Sequence, residues 1–97
     1  MTAAVRFLPA ARVDFDESFD WYARRSREAA ARFSSAVDAA IARILTDPAG
    51  FAFIDELHQE CILKRFPFRI VYRVLSDQIQ IVAVAHAKRK PGFWQQR

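Results

Sequence analysis

Disulfides, flexible linkers and membrane spans are all missing from this chain. Cys61 is the only cysteine, so no internal disulfide can form, which fits a reducing compartment. Two glycines and four prolines among 97 residues argue against linkers or a disordered chain, and the apolar share of 53% is that of a globular protein. No apolar run approaches the roughly 20 residues needed to cross a bilayer. The N-terminal stretch, MTAAVRFLPAARVDFDE, lacks the long apolar core of a signal peptide and soon turns acidic. One cytoplasmic domain spanning 1–97 is expected, with no room for a second core.

Motifs for most kinds of chemistry are absent too. The chain has no carboxylate pair, no Cys/His dyad with an orienting third group, no phosphate-cradling glycine loop and no metal-ligand spacing. His58, Cys61 and His86 are too scattered to suggest a zinc site. No metal or cofactor is expected.

What the chain does have is charge asymmetry. The net charge is +4, but residues 1–60 hold seven Lys/Arg against ten Asp/Glu, a net −3, whereas residues 61–97 hold eight against one, a net +7. A field of one sign on part of a small domain favours an anionic partner, either nucleic acid or an acidic protein segment, although a basic surface can also serve solubility alone.

Apolar spacing gives the elements. Val5–Leu8 reads as a short strand ended by Pro9. From Ala10 to Arg25 the apolar positions Ala11, Phe15, Ser18/Phe19 and Tyr22 fall at helical spacing. Ser26 is a plausible N-cap for a second helix, whose apolar face is Ala30, Phe33, Val37, Ala40, Ile41 and Ile44. Asp47-Pro48 stops that helix. Residues 49–60 read as a loop or short helical turn. Cys61–Phe66, Phe68–Leu75 and Ile79–Ala87 are strand candidates, and the last two form a hairpin around Ser76-Asp77-Gln78. The order β-α-α-β-β-β predicts an α+β fold, with an N-terminal helical hairpin packed on a largely antiparallel sheet.

Strand alternation then proposes a site. Arg69, Val71 and Arg73 share one face. With a two-residue turn, Arg69 faces His86 and Arg73 faces Val82; a three-residue turn would move His86 to the Phe68 side. The first register gathers Arg69, His86, Lys88 and Arg89, with Arg65 nearby. Such a group can stabilise a pentavalent phosphate and protonate a leaving group, or grip phosphates without reacting. Phe93 and Trp94 either stack on a base or close the end of the core.

The run Phe68-Arg69-Ile70-Val71-Tyr72-Arg73-Val74, followed by Ile81-Val82-Ala83-Val84-Ala85-His86-Ala87-Lys88-Arg89-Lys90-Pro91-Gly92-Phe93-Trp94, resembles the RelE/ParE toxin superfamily. It looks nearest to the branch described as plasmid-stabilisation toxins. The element order matches that fold over nearly the whole chain. The resemblance implies the toxin of a type II toxin–antitoxin system, and two activities stay open. ParE-like members inhibit DNA gyrase without nuclease chemistry. RelE-like members cleave mRNA on the ribosome, and Arg69 and Arg89 match two arginines of that pattern, with His86 a third catalytic candidate. Against the RelE-like pattern, Cys61–Phe66 lacks its spaced lysines, and Phe93-Trp94 stands where it has a tyrosine. The gyrase reading therefore ranks first, the nuclease second, and a non-catalytic nucleic-acid-binding or inactive member third. Arg65, Arg69, Arg73, Lys88, Arg89, Lys90 and Trp94 are the candidate target-binding residues. The resemblance also implies a cognate antitoxin, and without it the exposed face could pair with itself as a homodimer.

Overall fold

A computed structural model describes residues 4–97. Strand β1 (Ala4–Phe7) leads into helix α1 (Pro9–Ala23) and helix α2 (Arg27–Thr46), followed by β2 (His58–Ile62), β3 (Phe68–Val74) and β4 (Gln78–His86). The sheet order is β1-β4-β3-β2. β1 runs parallel to β4, and the other two pairings are antiparallel. The expected order and fold class are those observed.

Local chemistry accounts for the helix ends. Leu8 is extended, as the residue before a proline prefers, and Pro9 opens α1 with its φ already set. The Ser26 hydroxyl accepts from Ala29 N at 3.2 Å and caps α2. Of the face expected for α2, Ala30, Phe33, Val37, Ala40 and Ile44 are buried. Phe33, Val37, Ala40 and Ile44 join Ile70, Tyr72, Ile79 and Ile81 from the sheet in one core. The Phe33 ring lies 5.7 Å from Phe15, 5.2 Å from Tyr22 and 5.0 Å from Phe68, at the centre of an aromatic cluster. The helices cover one face of the sheet. A smaller group covers the other, where Val71, Val82 and Ala83 pack under Trp94.

Two strand expectations need correction. β2 begins at His58 and ends at Ile62, earlier than Cys61–Phe66. Its polar residues are paired inside the protein: the Gln59 amide donates to the carbonyls of Pro48 and Phe51 at 2.8 and 3.0 Å. Residues 63–67 are a turn instead. There Phe66 packs edge-on against Tyr22 and Phe33, and Arg65 takes a left-handed φ of 68°. That backbone conformation is uncommon for a residue with a Cβ. The loop or short helical turn expected over residues 49–60 opens with a short 3-10 turn, Pro48–Gly50. A loop then returns along β2, with Ile54 N donating to His58 O and Glu60 N donating to Ala52 O.

The second correction is the hairpin register. Val74 pairs with Ile79, Arg73 with Gln80 and Tyr72 with Ile81, but Val71 pairs with Ala83. Val82 is thus an extra residue, a β-bulge, and beyond it the alternation of β4 inverts. His86 lies opposite Phe68, not Arg69, and Arg73 lies opposite Gln80, not Val82.

Candidate functional site

The bulge divides the expected cluster. Arg69 lies on the sheet face away from the helices. His86 lies on the helix side, its ring 5.2 Å from Phe68 and edge-on to it. The two therefore do not meet across the hairpin.

Arg69 is also committed elsewhere. Its guanidinium donates to Glu60 Oε1 at 3.1 Å, sits 5.3 Å from the Trp94 ring centroid, and its side chain is only 15% exposed. Its Nε is buried without a partner among the described residues. Arg73 donates from Nε to Gln80 Oε1 at 2.7 Å and brings a terminal nitrogen to 3.4 Å from His58 Nε2. An arginine can only donate, so this contact casts Nε2 as the acceptor and places the ring proton on Nδ1. Nδ1 in turn faces both Asp55 oxygens at 3.0 Å.

Asp55 anchors this outer face. It accepts from Leu57 N at 2.8 Å, His58 N at 2.7 Å and Trp94 Nε1 at 2.9 Å. Burial pushes its carboxyl up, but the bonds from Trp94, the two backbone amides and the His58 ring outweigh this. They hold Asp55 well below the usual carboxylate range. Trp94 itself is 3% exposed. The stacking role open to it in sequence is corrected here: in this conformation its indole closes the second core and is not offered to a base.

The remaining basic candidates are available at the surface. Arg65, Lys88 and Lys90 are exposed. Arg89 lies over the Phe93 ring at 3.7 Å and reaches Asp14 Oδ1 at 3.5 Å, with much of its side chain still in solvent.

Sequence reasoning missed Asp14 and Arg97. β1 ends at Phe7, and Leu8 N makes the last strand-like bond of that edge, to Ile81 O. Beyond it the edge of β4 has no neighbouring strand among the described residues. Asp14 Oδ2 accepts from Val84 N at 3.1 Å, and Arg97 donates to Val82 O at 3.0 Å. Arg97 also grips both Asp14 oxygens, at 2.6 and 3.2 Å. Two side chains thus satisfy backbone groups that a strand would otherwise pair. A signal was present in the sequence: Asp14 falls three residues after Ala11 and four before Ser18, inside the buried stripe of α1.

Between α1 and the end of β4 lies a cleft of about 450 Å³, bordered by Glu17, Ser18, Trp21, Tyr22, Phe68 and His86. Among the described residues, no three His, Cys, Asp or Glu side chains gather as a metal site would require.

Residues 5–91 match the family model described as the ParE toxin of the type II toxin–antitoxin system parDE. The chain belongs to the ParE toxin family. Toxin ParE2 of Mycobacterium tuberculosis, in strain CDC 1551 / Oshkosh, is 29% identical over 93 residues, covering 95% of this chain and 89% of its own. The same protein of strain H37Rv matches equally, at 29% identity over 95% of this chain and 89% of its own. A solved structure described as the chromosomal ParDE system of P. aeruginosa superposes with a TM-score of 0.76 at 20% identity, covering 88% of this chain and 96% of that one. At that identity the likeness speaks for the fold. No helix among the described residues of this ParE-family toxin is long and apolar enough to cross a membrane.

Proposed function

We propose that this ParE-family toxin arrests growth by binding DNA gyrase, with no chemistry of its own, and that a cognate antitoxin neutralises it. The observation that carries the non-catalytic reading is the commitment of Arg69. A catalytic arginine must stabilise charge that develops on a phosphate. Arg69 is instead ion-paired with Glu60 beneath Trp94, and His86 is on the opposite side of the sheet. Exposed Arg65, Lys88 and Lys90, with Arg89 beside them, are the basic groups left for a target. Charges of this kind chiefly raise the association rate and make it salt-dependent.

The test is a supercoiling assay with purified gyrase and purified toxin, paired with mapping of mRNA 5′ ends after induction in cells. Loss of supercoiling, with no new codon-phased cuts, is the expected result. Reversing the charges of Lys88 and Lys90 should then weaken inhibition, and Arg69→Ala should act only through stability. Codon-phased cuts that vanish in Arg69→Ala and Arg89→Ala variants would overturn this reading in favour of a ribosome-dependent nuclease.

A further inference from the structure

We propose that one end of the molecule binds the phosphate backbone of double-helical DNA, through three chain connections that the fold brings together. The inference rests on the gyrase reading for where DNA is met, and it adds a contact of the toxin's own with the DNA that gyrase holds.

Contacts across the fold assemble this end. Phe68 pairs with His86 where β3 begins and β4 ends, so the turn before β3 and the turn after β4 lie at the same end of the sheet. Ala87 N donates to Pro67 O at 2.7 Å and ties the two turns together. The ring of Tyr22, next to the last residue of α1, lies 5.4 Å from Phe66 and 6.3 Å from Phe68. The connection from α1 to α2 therefore comes to the same end.

Charge follows this geometry. The helix connection and the start of α2 carry Arg24, Arg25 and Arg27. The turn before β3 carries Lys64 and Arg65, and the turn after β4 carries Lys88, Arg89 and Lys90; all of these side chains are exposed. Glu28 is the one carboxylate within residues 24–28, 63–67 and 87–92. Glu17 and Asp20 lie earlier on α1, and Glu60 and Asp14 are already paired with Arg69 and Arg97. Of the cations at this end, only Arg89 is in an ion pair among the described residues. The connections at the other end of the sheet, 54–57 and 75–78, carry Asp55, Glu56 and Asp77 and no Lys or Arg. The N-terminus of α2 adds the positive end of its dipole to the basic end. A field of one sign draws in a polyanion, and the counterions released from its phosphates supply the affinity.

The aromatic rings decide between a paired and an unpaired nucleic acid. Single strands are held largely by bases stacked on protein rings. Here the rings near the basic end are engaged by the protein itself. Arg25 lies over Trp21 at 3.6 Å, Arg89 lies over Phe93 at 3.7 Å, and Trp94 is buried. Exposed cations beside occupied rings suit the backbone of a duplex, whose bases stack on one another.

The test is fluorescence anisotropy of a labelled DNA duplex titrated with purified toxin, from about 50 to 200 mM salt and without gyrase. Binding that weakens steeply with salt is expected. Lys88→Glu should weaken it about tenfold and lower the salt slope by about one. Arg65 holds a φ of 68°, which glycine adopts without strain, so Arg65→Gly removes a cation and keeps the turn. It should weaken binding about threefold, and it decides the matter should Lys88→Glu fail to fold by circular dichroism. Arg6→Glu changes the net charge as Lys88→Glu does, but at the level of Gln80, towards the other end of β4, and should leave the affinity at its wild-type value. An equal loss in Arg6→Glu would overturn the proposal, because net charge alone would then set the affinity. So would an absence of binding at the lowest salt, or tighter binding to single-stranded RNA than to the duplex. Duplex binding by a toxin that leaves supercoiling untouched would refute the gyrase reading and keep this site; inhibition of gyrase without duplex binding would do the reverse.

Discussion

The two faces of the sheet are buried by different means. On the helix side, Phe33, Val37, Ile44, Ile70, Tyr72, Ile79 and Ile81 meet as hydrocarbon and rings. On the outer side the apolar layer is thin, and Trp94 is held over Val71, Val82 and Ala83 by Asp55, itself tied to His58 and the loop before β2. At the β4 edge beside them, Asp14 and Arg97 replace a strand. The helix side should therefore supply the bulk of the stability and hardly respond to pH. The outer side rests on the Asp55 carboxylate and should respond to pH, and both it and the edge should respond to charge removal.

The sharpest break in this comparison is Phe33→Ala. Phe33 is fully buried at the centre of the ring cluster, and truncating a core phenylalanine costs about 3–5 kcal/mol. A urea titration should show the unfolding free energy fall by that amount, equally at pH 4 and pH 7. Next in size is Asp14→Ala. It takes the carboxylate from the Arg97 guanidinium, whose side chain is 16% exposed and which keeps only Val82 O, and leaves the Val84 amide without its acceptor. Breaking a largely buried pair from one side costs about 3 kcal/mol. Hydrogen exchange should show the Val84 amide losing its protection ahead of the amides of β3. Protection unchanged at Val84 would mean that Asp14 is not the partner that secures this edge.

The same contrast explains how much could be read in advance. The face of α2, its Ser26 cap and its stop at Asp47-Pro48 follow from spacing and local backbone chemistry, and they were legible. So were the order of the elements along the chain and the pairing of the last two strands, which a short turn joins. The bulge at Val82 was not. Ile81–Ala85 is buried on both faces and therefore apolar throughout, so alternation carries no mark of where the register shifts. That single unreadable residue sent His86 to the wrong face and set it beside Arg69, which it does not meet. The start of β2 was hidden for a different reason. His58, Gln59 and Glu60 look like loop residues, and only partners distant in the chain make them strand residues. Arg69 was read as free because Glu60, nine residues earlier, had not been placed beside it.

A finer test couples the outer face to pH. The folded carboxyl of Asp55 lies below its unfolded value, which is close to 4. The stability from its donors is therefore complete above about pH 4 and is lost as pH falls through the folded value. Trp94→Phe keeps an aromatic ring but removes one donor to this carboxylate. One hydrogen bond to a charged group is worth about 1.5 kcal/mol, so the variant should be less stable by that much at pH 7. Its folded carboxyl should titrate higher, closer to the unfolded value, and lose less stability on acidification. The gap between wild type and variant should thus narrow as pH falls below about 4, measured by urea midpoints across that range. A gap that stays constant with pH would mean that the indole contributes packing alone, and the ionic hold on the outer face would have to rest with His58 and the backbone amides.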